Sequence, residues 1–389
     1  MKLSKLEQNQ DLIKAHQHLD TPYLYVDKNK FLNNLHFLRE KIEHLGADLR
    51  PHFKTVRAIE AAKYVLPETS SPLTVSTLKE AETLASAGYT NFLYAVGICE
   101  AKLPRVLALI QTGSQVDVLL DSVEQARALN AFCMKNQCVI SALLEIDCDD
   151  HRGGLKPEDP LLIDIASILH QGPAHFKGIL THAGESYQCF DAQDRQKAAA
   201  NEVSESIKAS EQLKSHSIPC EVISIGSTPT ACSYDDLTGI TEVRAGVYSF
   251  FDLVMAGVGV CNTSDIALSV VTTVIGHNPD KGWLFVDAGW MALSADRGTA
   301  KQPRDCGYGL IVNSDGKTIE GLQVSTVNQE HGIIQNNAGD NIDLTEFPIG
   351  SRLHILPNHA CATTAMHDHY QVFDTDANTH ETWTRIKGW

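Results

Sequence analysis

The length and charge of the chain exclude some classes of protein. It has 389 residues, of which 43% are hydrophobic, and this is enough for one large domain and a smaller one. Its 48 acidic residues exceed its 32 basic residues and give a formal net charge of −16. Nucleic acids and anionic membranes attract basic surfaces, so neither is an expected partner, and a small-molecule ligand suits the composition better.

The first twenty residues and the cysteines predict the compartment. The start, MKLSKLEQNQDLIKAHQHLD, is polar and lacks the apolar segment of a signal peptide, and nowhere does an uncharged apolar run reach about 18 residues. The ten cysteines form no CxxC pair and no short disulfide framework, so reduced thiols are expected. Both observations favour a cytoplasmic protein.

From about residue 49, short β-type runs alternate with helical patterns. The eight runs are ADLRPHF, PLTVST, NFLYAV, QVDVLL, CVISALLEID, HFKGILTH, CEVISIG and TEVRAGVY. Helical stretches such as LKEAETLASAG lie between them and have apolar residues at intervals of three and four. The alternation predicts an α/β fold closed into a (β/α)8, TIM-like barrel over residues 20–265. An open doubly wound sheet is the alternative, weakened because no GxGxxG follows the first strand.

After about residue 265 the pattern changes to strands joined by turns. The runs are IALSVVTTVIGH, GWLFVDAG, EGLQVSTV, SRLHILPN, HYQVFDT and HETWTRI, with hardly a helical segment among them. They predict a C-terminal antiparallel β domain over residues 266–389, to which residues 1–19 are assigned. The opening segment and YLYVD could pack on either domain.

Several polar residues follow predicted barrel strands, where the catalytic groups of such barrels lie. Those after the first, fifth, sixth, seventh and eighth strands are, in that order, Lys54, Arg152, His182, Gly226 with Ser227, and Tyr248. We expect these residues to face one cavity.

The loop GSTPT after the seventh strand has the character of a phosphate site. Gly226 lets the backbone approach an anion closely, and Ser227 and Thr228 offer hydroxyl groups. In barrels, phosphate sites favour the loops after strands seven and eight. The alternative is an ordinary turn that caps a short helix beginning near Pro229.

Lys54, in RPHFKT, has two interpretations. Most lysines are solvated surface charges. However, an amine at the mouth of a barrel that also offers a phosphate site is what a pyridoxal phosphate enzyme requires, since the lysine forms a Schiff base and the phosphate anchors the other end of the cofactor.

The segment LPNHACAT places His359 two residues before Cys361. In a strand or an extended loop this spacing puts both side chains on one face, where imidazole and thiolate can share a metal ion. Two ligands leave open positions, as in a catalytic site. The alternative is a buried cysteine beside a hydrogen-bonded histidine. His367 and His369 are possible further ligands, although a solvated polar turn explains them equally simply.

These motifs together resemble the D-serine dehydratase and D-threonine aldolase family, which has the alanine-racemase-like fold. RPHFKT resembles the cofactor-lysine motif, HAGESY and GSTPT the cofactor-contact loops, EVRAGVY the last barrel strand and PNHACAT the metal motif. FVDAGWMALSADRG and NQEHG resemble the second domain of the family. The resemblance covers nearly the whole chain.

The resemblance implies roles for individual residues. Lys54 would form the Schiff base with pyridoxal 5'-phosphate, and Gly226, Ser227, Thr228 and Tyr248 would hold its phosphate. His182 lies in a cofactor-contact loop, and Arg152 or Tyr187 would lie near the pyridine ring. His359 and Cys361 would bind a divalent metal ion, for which zinc suits the thiolate, with manganese and magnesium as alternatives. Members of the family usually form homodimers.

The implied activity is that of a lyase acting on β-hydroxy D-amino acids. A dehydratase for D-serine or D-threo-3-hydroxyaspartate would give a 2-oxo acid and ammonia, and the His-x-Cys pair is familiar from that branch. A D-threonine aldolase, giving glycine and an aldehyde, is the alternative, since aldolases of the family can carry a carboxylate in the metal motif. An amino-acid racemase, a non-catalytic pyridoxal phosphate-binding protein and a barrel metallohydrolase remain further alternatives.

Overall fold

The computed structural model describes residues 16–313, 316–338 and 342–389. The chain divides into two compact units. One contains the described residues up to His36 together with Val247–Arg385, and the other contains Phe37–Gly246 with Ile386–Trp389. The domain division predicted from the sequence, 20–265 and 266–389, stays a prediction.

Strand β1 (Tyr23–Asp27) and helix α1 (Lys28–His44) precede the barrel strands. Eight parallel strands then form one sheet. They are β2 (Asp48–Pro51), β3 (Leu73–Val75), β4 (Asn91–Gly97), β5 (Gln115–Leu120), β6 (Ser141–Ile146), β7 (His175–Thr181), β8 (Val222–Ile225) and β9 (Glu242–Ala245). The sheet order is β2-β9-β8-β7-β6-β5-β4-β3, and a parallel bridge between His52 and Thr74 joins its two ends. The predicted eight-stranded barrel is confirmed.

Helices follow the barrel strands in the expected alternation. They are α2 (Ile59–Val65), α3 (Leu78–Ser86), α4 (Leu103–Gln111), α5 (Val123–Asn136), α6 (Pro160–His170), α7 (Ala192–Ser215) and the single turn α8 (Thr228–Ala231). Ser122 and Asp191 cap the helices that follow them by accepting hydrogen bonds from backbone N–H groups in the first turn.

Side chains fill the barrel interior. Leu93, Leu119, Leu143 and Leu180, from four neighbouring strands, form one buried cluster. Charged groups are also buried where they are paired, as in the 2.8 Å contact between Arg50 Nε and Glu242 Oε2. A filled barrel leaves its loops as the place for a ligand.

The unit that contains Val247–Arg385, called the β unit below, is built around a nine-stranded sheet that includes β1. Its other strands are β10 (Leu268–Asn278), β11 (Trp283–Val286), β12 (Leu310–Val312), β13 (Thr318–Val327), β14 (Gly332–Asn336), β15 (Arg352–Leu356), β16 (His369–Asp374) and β17 (Thr379–Thr384). Because β11 pairs with both β14 and β10, the strands β10-β11-β14-β13-β12-β15 close into a ring. Short helices interrupt the strands at α9 (Leu253–Val258), α10 (Trp290–Leu293) and α11 (Ala360–Ala365).

The predicted antiparallel β domain is confirmed, with two additions. The strands Leu310–Val312 and Gly332–Asn336 are new, since such short runs carry little periodic signal. Strand β1, for which either domain was open, pairs antiparallel with β10 and parallel with β16. Within the described residues, no helix has the length and apolar character needed to cross a bilayer.

Candidate active site

Lys54 lies in the turn that follows the first barrel strand. Its neighbours Phe53 and Thr55 are buried and anchor the turn, whereas the Lys54 side chain is exposed. The backbone N–H of Lys54 is 3.4 Å from His52 Nδ1. Among the described residues the Lys54 amine has no hydrogen-bond or ion-pair partner. It is therefore available to react with a carbonyl compound.

His182 follows β7 and is held by the next loop along the barrel. Its Nδ1–H donates to the Gly226 carbonyl oxygen at 2.9 Å. Burial lowers the pKa of His182 to about 3, and the positive charges of Lys54, Arg152 and Arg244 act in the same direction, against the hydrogen bond to Gly226. The imidazole is therefore neutral near pH 7, with Nε2 as its unprotonated nitrogen.

Arg152 and Tyr187 belong to neighbouring loops on the same side of the barrel. Arg152 follows β6, and its Nη2 lies 3.5 Å from Glu145 Oε1 with 61% of the side chain exposed. Tyr187 lies in the short 3-10 helix Gly184–Gln188, with its ring centroid 6.4 Å from that of His182. The structure thus brings Lys54, Arg152, Tyr187 and the loop at Gly226 around His182.

The GSTPT loop forms the capping turn that the sequence left open as an alternative. Ser227 caps the one-turn helix α8 in a capping box with Thr230, and the Ser227 N–H donates to Thr230 Oγ1 at 3.1 Å. The Gly226 N–H donates to Glu202 Oε1 at 2.9 Å. The N–H groups of Gly226 and Ser227 therefore both have partners within the barrel unit.

Thr228 and Gly226 nevertheless leave a place for an anion. Thr228 Oγ1 is buried and has no hydrogen-bond partner within the described part of the chain. Gly226 has φ of +134°, and a Cβ at this position would lie 2.1 Å from the Arg244 carbonyl oxygen. Only glycine permits this turn. An unpaired buried hydroxyl beside it is a donor that a phosphate oxygen would satisfy.

Two buried charged residues near these loops were not identified as site residues from the sequence. Glu202, on α7, accepts hydrogen bonds from the Ala183 and Gly226 N–H groups at 3.0 and 2.9 Å. Arg244, on β9, donates to Ser224 Oγ and to the Thr181 carbonyl oxygen, both at 2.7 Å. Arg244 lies within EVRAGVY, the motif that resembles the last barrel strand of the family. Nothing in the sequence pattern around Glu202 distinguishes it from a surface carboxylate.

His359 and Cys361 lie in the other unit, at the start of helix α11. His359 is the extended residue before the helix, with φ of −134° and ψ of 106°, and Cys361 is in the first helical turn. The extended geometry considered for this segment holds at His359 and ends there, because the helix begins at Ala360. The Cys361 side chain still lies close enough to the His359 imidazole to raise its pKa.

Asp296 orients His359. Its Oδ2 lies 2.7 Å from His359 Nδ1. Burial lowers the pKa of His359, but the hydrogen bonds to Asp296 and Cys361 outweigh burial and raise it to about 11. Since Asp296 occupies Nδ1, Nε2 is the nitrogen left for a metal ion. Asp296 lies in FVDAGWMALSADRG, but the sequence offered no sign that it would reach His359.

The surroundings of this pair are buried and hydrogen-bonded. Asp252 is 1% exposed, and its Oδ2 accepts the Ala360 N–H at 2.8 Å. Asn358 donates to the Gly307 carbonyl oxygen at 2.6 Å and accepts from Thr299 Oγ1 at 2.9 Å. These contacts hold in place the residues that precede and follow His359 in the chain, Asn358 and Ala360.

The other histidines of the motif do not join the pair. His367 Nε2 donates to the Ala292 carbonyl oxygen at 2.9 Å, and His369 is exposed on β16. Over the part of the chain that the structure describes, no group of three or more His, Cys, Asp or Glu side chains is arranged to hold a metal ion. Tyr248 belongs to the same unit as His359 and is buried in the helical turn Val247–Ser249.

A lysine at the mouth of a parallel (β/α)8 barrel, joined in one chain to a β domain, defines the class of alanine-racemase-like proteins. The chain belongs to this family, since the family model "Alanine racemase, N-terminal domain" matches residues 26–254. A second model, named for a serine dehydratase domain, matches residues 267–373.

Individual relatives are similar over nearly their full length. The D-threo-3-hydroxyaspartate dehydratase of Delftia sp. (strain HT23) is 44% identical over 95% of this chain and 98% of its own. The D-serine dehydratase of Dictyostelium discoideum is 31% identical over 98% and 100%. An alanine racemase-like protein of Idiomarina loihiensis is 50% identical, with a TM-score of 0.93 over 96% and 99% of the two chains. The Delftia structures, also at a TM-score of 0.93, include a cysteine-to-alanine mutant in a metal-free form.

The residues present fit the cofactor that this class of fold uses. The unpartnered Lys54 amine, the unpaired Thr228 hydroxyl and the close backbone turn at Gly226 are the groups that an aldehyde with a phosphate requires. Imidazole and thiol side by side, with a carboxylate behind the imidazole, likewise suit a divalent metal ion with open coordination positions.

Proposed function

We propose that this protein is a pyridoxal phosphate- and metal-dependent lyase that dehydrates a β-hydroxy D-amino acid, with net release of ammonia. The substrate class is that of D-threo-3-hydroxyaspartate and D-serine, and the product is a 2-oxo acid. The observation that carries this proposal is the 44% identity to D-threo-3-hydroxyaspartate dehydratase over nearly the whole of both chains.

The barrel residues supply binding and proton transfer in this proposal. Lys54 would hold the cofactor covalently, and Gly226, Ser227, Thr228 and Tyr248 would hold its phosphate. Pyridoxal phosphate, when bound, would supply the electron sink for a bond that breaks at the substrate Cα. Lys54, once its amine is free and neutral, would take the α-proton.

The remaining barrel residues would orient the ring. His182 is neutral and is held at Nδ1, so Nε2 can accept a hydrogen bond but cannot donate one near pH 7. Arg152, with most of its side chain exposed, would contribute a positive charge near the pyridine ring, and Tyr187 an aromatic edge.

His359 and Cys361 would hold the divalent ion, and Asp296 would hold His359. We propose zinc, because thiolate and imidazole ligands favour it over harder ions. The ion would polarise the β-hydroxyl group as a Lewis acid and so improve hydroxide as a leaving group. Loss of the α-proton and of the hydroxide removes one water, and hydrolysis of the released imino acid takes up one water and gives the 2-oxo acid and ammonia.

Location and assembly complete the proposal. We place the enzyme in the cytoplasm, since none of the ten cysteines, which all lie within the described residues, forms a disulfide. The homodimer implied by the family resemblance is part of the same proposal.

Product analysis tests the proposal. Purified protein loaded with zinc and pyridoxal phosphate is incubated separately with D-threo-3-hydroxyaspartate, D-serine and D-threonine. We expect a 2-oxo acid and ammonia in equal amounts from at least one of the first two. Glycine with an aldehyde and no 2-oxo acid would instead show an aldolase, and both enantiomers without either product would show a racemase.

Repeating the assay with a chelator tests the metal. We expect turnover to be lost while the visible absorbance of the bound cofactor remains. Full turnover without metal would show that the ion takes no part in the reaction.

A further inference from the structure

We propose that Glu202 is a positioning residue that holds two cofactor loops of the barrel in register. This inference rests on the proposed function and extends it to a residue on α7. A single carboxylate oxygen, Oε1, accepts the Ala183 N–H at 3.0 Å and the Gly226 N–H at 2.9 Å. These two amides belong to the loops after β7 and β8.

Each of the two amides lies beside a proposed cofactor contact. Ala183 directly follows His182, and Gly226 directly precedes Ser227 and Thr228. The loops are also joined by the bond from His182 Nδ1 to the Gly226 carbonyl oxygen and by the 2.9 Å contact between the hydroxyl groups of Ser186 and Ser227. A shift of the Glu202 carboxylate would therefore move the imidazole and the phosphate loop together.

The second carboxylate oxygen of Glu202, Oε2, is held by a hydrogen bond from Tyr234. Tyr234 donates its hydroxyl hydrogen to Oε2 at 2.5 Å, and the Tyr234 oxygen is also 3.1 Å from Thr230 Oγ1. Glu202 and Thr230 are fully buried, and Tyr234 is 1% exposed. Among the described residues, no cationic side chain hydrogen-bonds to Glu202.

A buried carboxyl group without a cationic hydrogen-bond partner carries a desolvation cost. An apolar residue would avoid that cost but would leave the amides of Ala183 and Gly226 without an acceptor. The geometry therefore points to loop placement, rather than charge neutralisation, as the role of Glu202.

Two substitutions of Glu202 distinguish the effect of its side-chain length from the effect of its charge. Glu202→Gln keeps the length of the side chain and a carbonyl oxygen for both amides, and the Tyr234 hydroxyl can accept from its new NH2 group. Glu202→Asp keeps the charge but is one methylene shorter, so it cannot reach both amides from the same backbone. Tyr234→Phe is the matched control, because it removes one partner of Glu202 and leaves both loop amides in place.

The first measurement is the affinity of the apoprotein for pyridoxal phosphate, followed by absorbance titration. We expect Glu202→Gln and Tyr234→Phe to stay within about threefold of the wild type and Glu202→Asp to bind at least about tenfold more weakly. Wild-type-like binding by Glu202→Asp, or weaker binding by Glu202→Gln than by Glu202→Asp, would overturn the proposal.

The second measurement is amide hydrogen exchange in the apoprotein. Ala183 and Gly226 amides are expected to be protected in the wild type and in Glu202→Gln, and to exchange at least about tenfold faster in Glu202→Asp. Unprotected amides in the wild type would overturn the proposal even where Glu202→Asp does not fold. A wild-type protein that binds no pyridoxal phosphate but has protected amides would contradict the proposed function. It would leave the positioning role of Glu202 supported.

Discussion

Asp296 and His359 are separated by 63 positions in the chain, yet Asp296 Oδ2 lies 2.7 Å from His359 Nδ1. A carboxylate behind a ligating imidazole fixes the tautomer and the direction of the ring and makes the other nitrogen a better donor to a metal ion. Asp296 therefore orients the imidazole of the proposed His-x-Cys pair.

Removing Asp296 should weaken the metal site without removing a ligand. We expect Asp296→Ala to lower zinc affinity by about 10–100-fold, because the His359 ring loses its orienting acceptor. Competition with a chromophoric chelator measures the affinity. Asp305→Ala is the matched control, since Asp305 pairs with Arg297 at the surface of the same segment. Equal zinc affinities for the two variants would contradict the role given to Asp296.

Replacing Lys54 should abolish the cofactor adduct. We expect Lys54→Ala to lose the visible absorbance of bound pyridoxal phosphate, and turnover to fall by about 10²–10⁴-fold or more because the proton acceptor is lost as well. Lys79→Ala, at an exposed lysine on helix α3, is the control and should keep both properties. An unchanged spectrum in Lys54→Ala would place the Schiff base at another amine.

Replacing Thr228 should separate stability from cofactor affinity. Thr228 Oγ1 has no partner, so Thr228→Val should leave the free energy of unfolding of the apoprotein unchanged within about 0.5 kcal/mol or raise it. The same change should weaken pyridoxal phosphate binding by about tenfold, because a donor to the phosphate is lost. Urea unfolding and absorbance titration measure the two effects.

Thr230→Val provides the contrast for this experiment. The Thr230 hydroxyl accepts the Ser227 N–H at 3.1 Å within the capping box, so its loss should cost about 1–2 kcal/mol of stability. If Thr228→Val destabilises the apoprotein as much as Thr230→Val does, the Thr228 hydroxyl has a partner and the phosphate site is misassigned.

His354 should make the β unit sensitive to acid. Burial lowers the pKa of His354 to about 3, and the charges of His16, Lys30 and Arg352 act in the same direction. Between pH 6.5 and about 3 the unfolded chain therefore binds a proton that the folded chain does not. In this range stability rises with pH and is lost as the solution becomes more acidic.

The variant His354→Gln tests this prediction. Its free energy of unfolding should fall less steeply with decreasing pH than that of the wild type, by up to about 1.4 kcal/mol per pH unit. His44→Gln, at an exposed histidine in the last turn of α1, should keep the wild-type slope. Parallel slopes for the wild type and His354→Gln below pH 6.5 would show that His354 is protonated in the folded state.

The pattern of apolar residues along the chain was enough to predict the strand and helix order of the barrel and the places where reactive residues follow strands. These features depend on local periodicity and on the rule that parallel strands present their carboxyl ends at one edge, so Lys54, His182 and Gly226 could be located before any contact was known. Motif spacing likewise identified His359 and Cys361, although a helix start rather than a strand brings the two together.

The distant groups that support these residues could be identified only from long-range packing. Strand β1 joins the β unit through pairing with β10 and β16, Asp296 reaches His359, and Glu202 accepts two loop amides. None of these contacts has a sequence period, because each depends on how a strand or helix is placed by packing many residues away. In the sequence, a glutamate on a helix looks the same whether its carboxylate faces water or accepts two buried N–H groups. Only the burial of its side chain distinguishes the two environments.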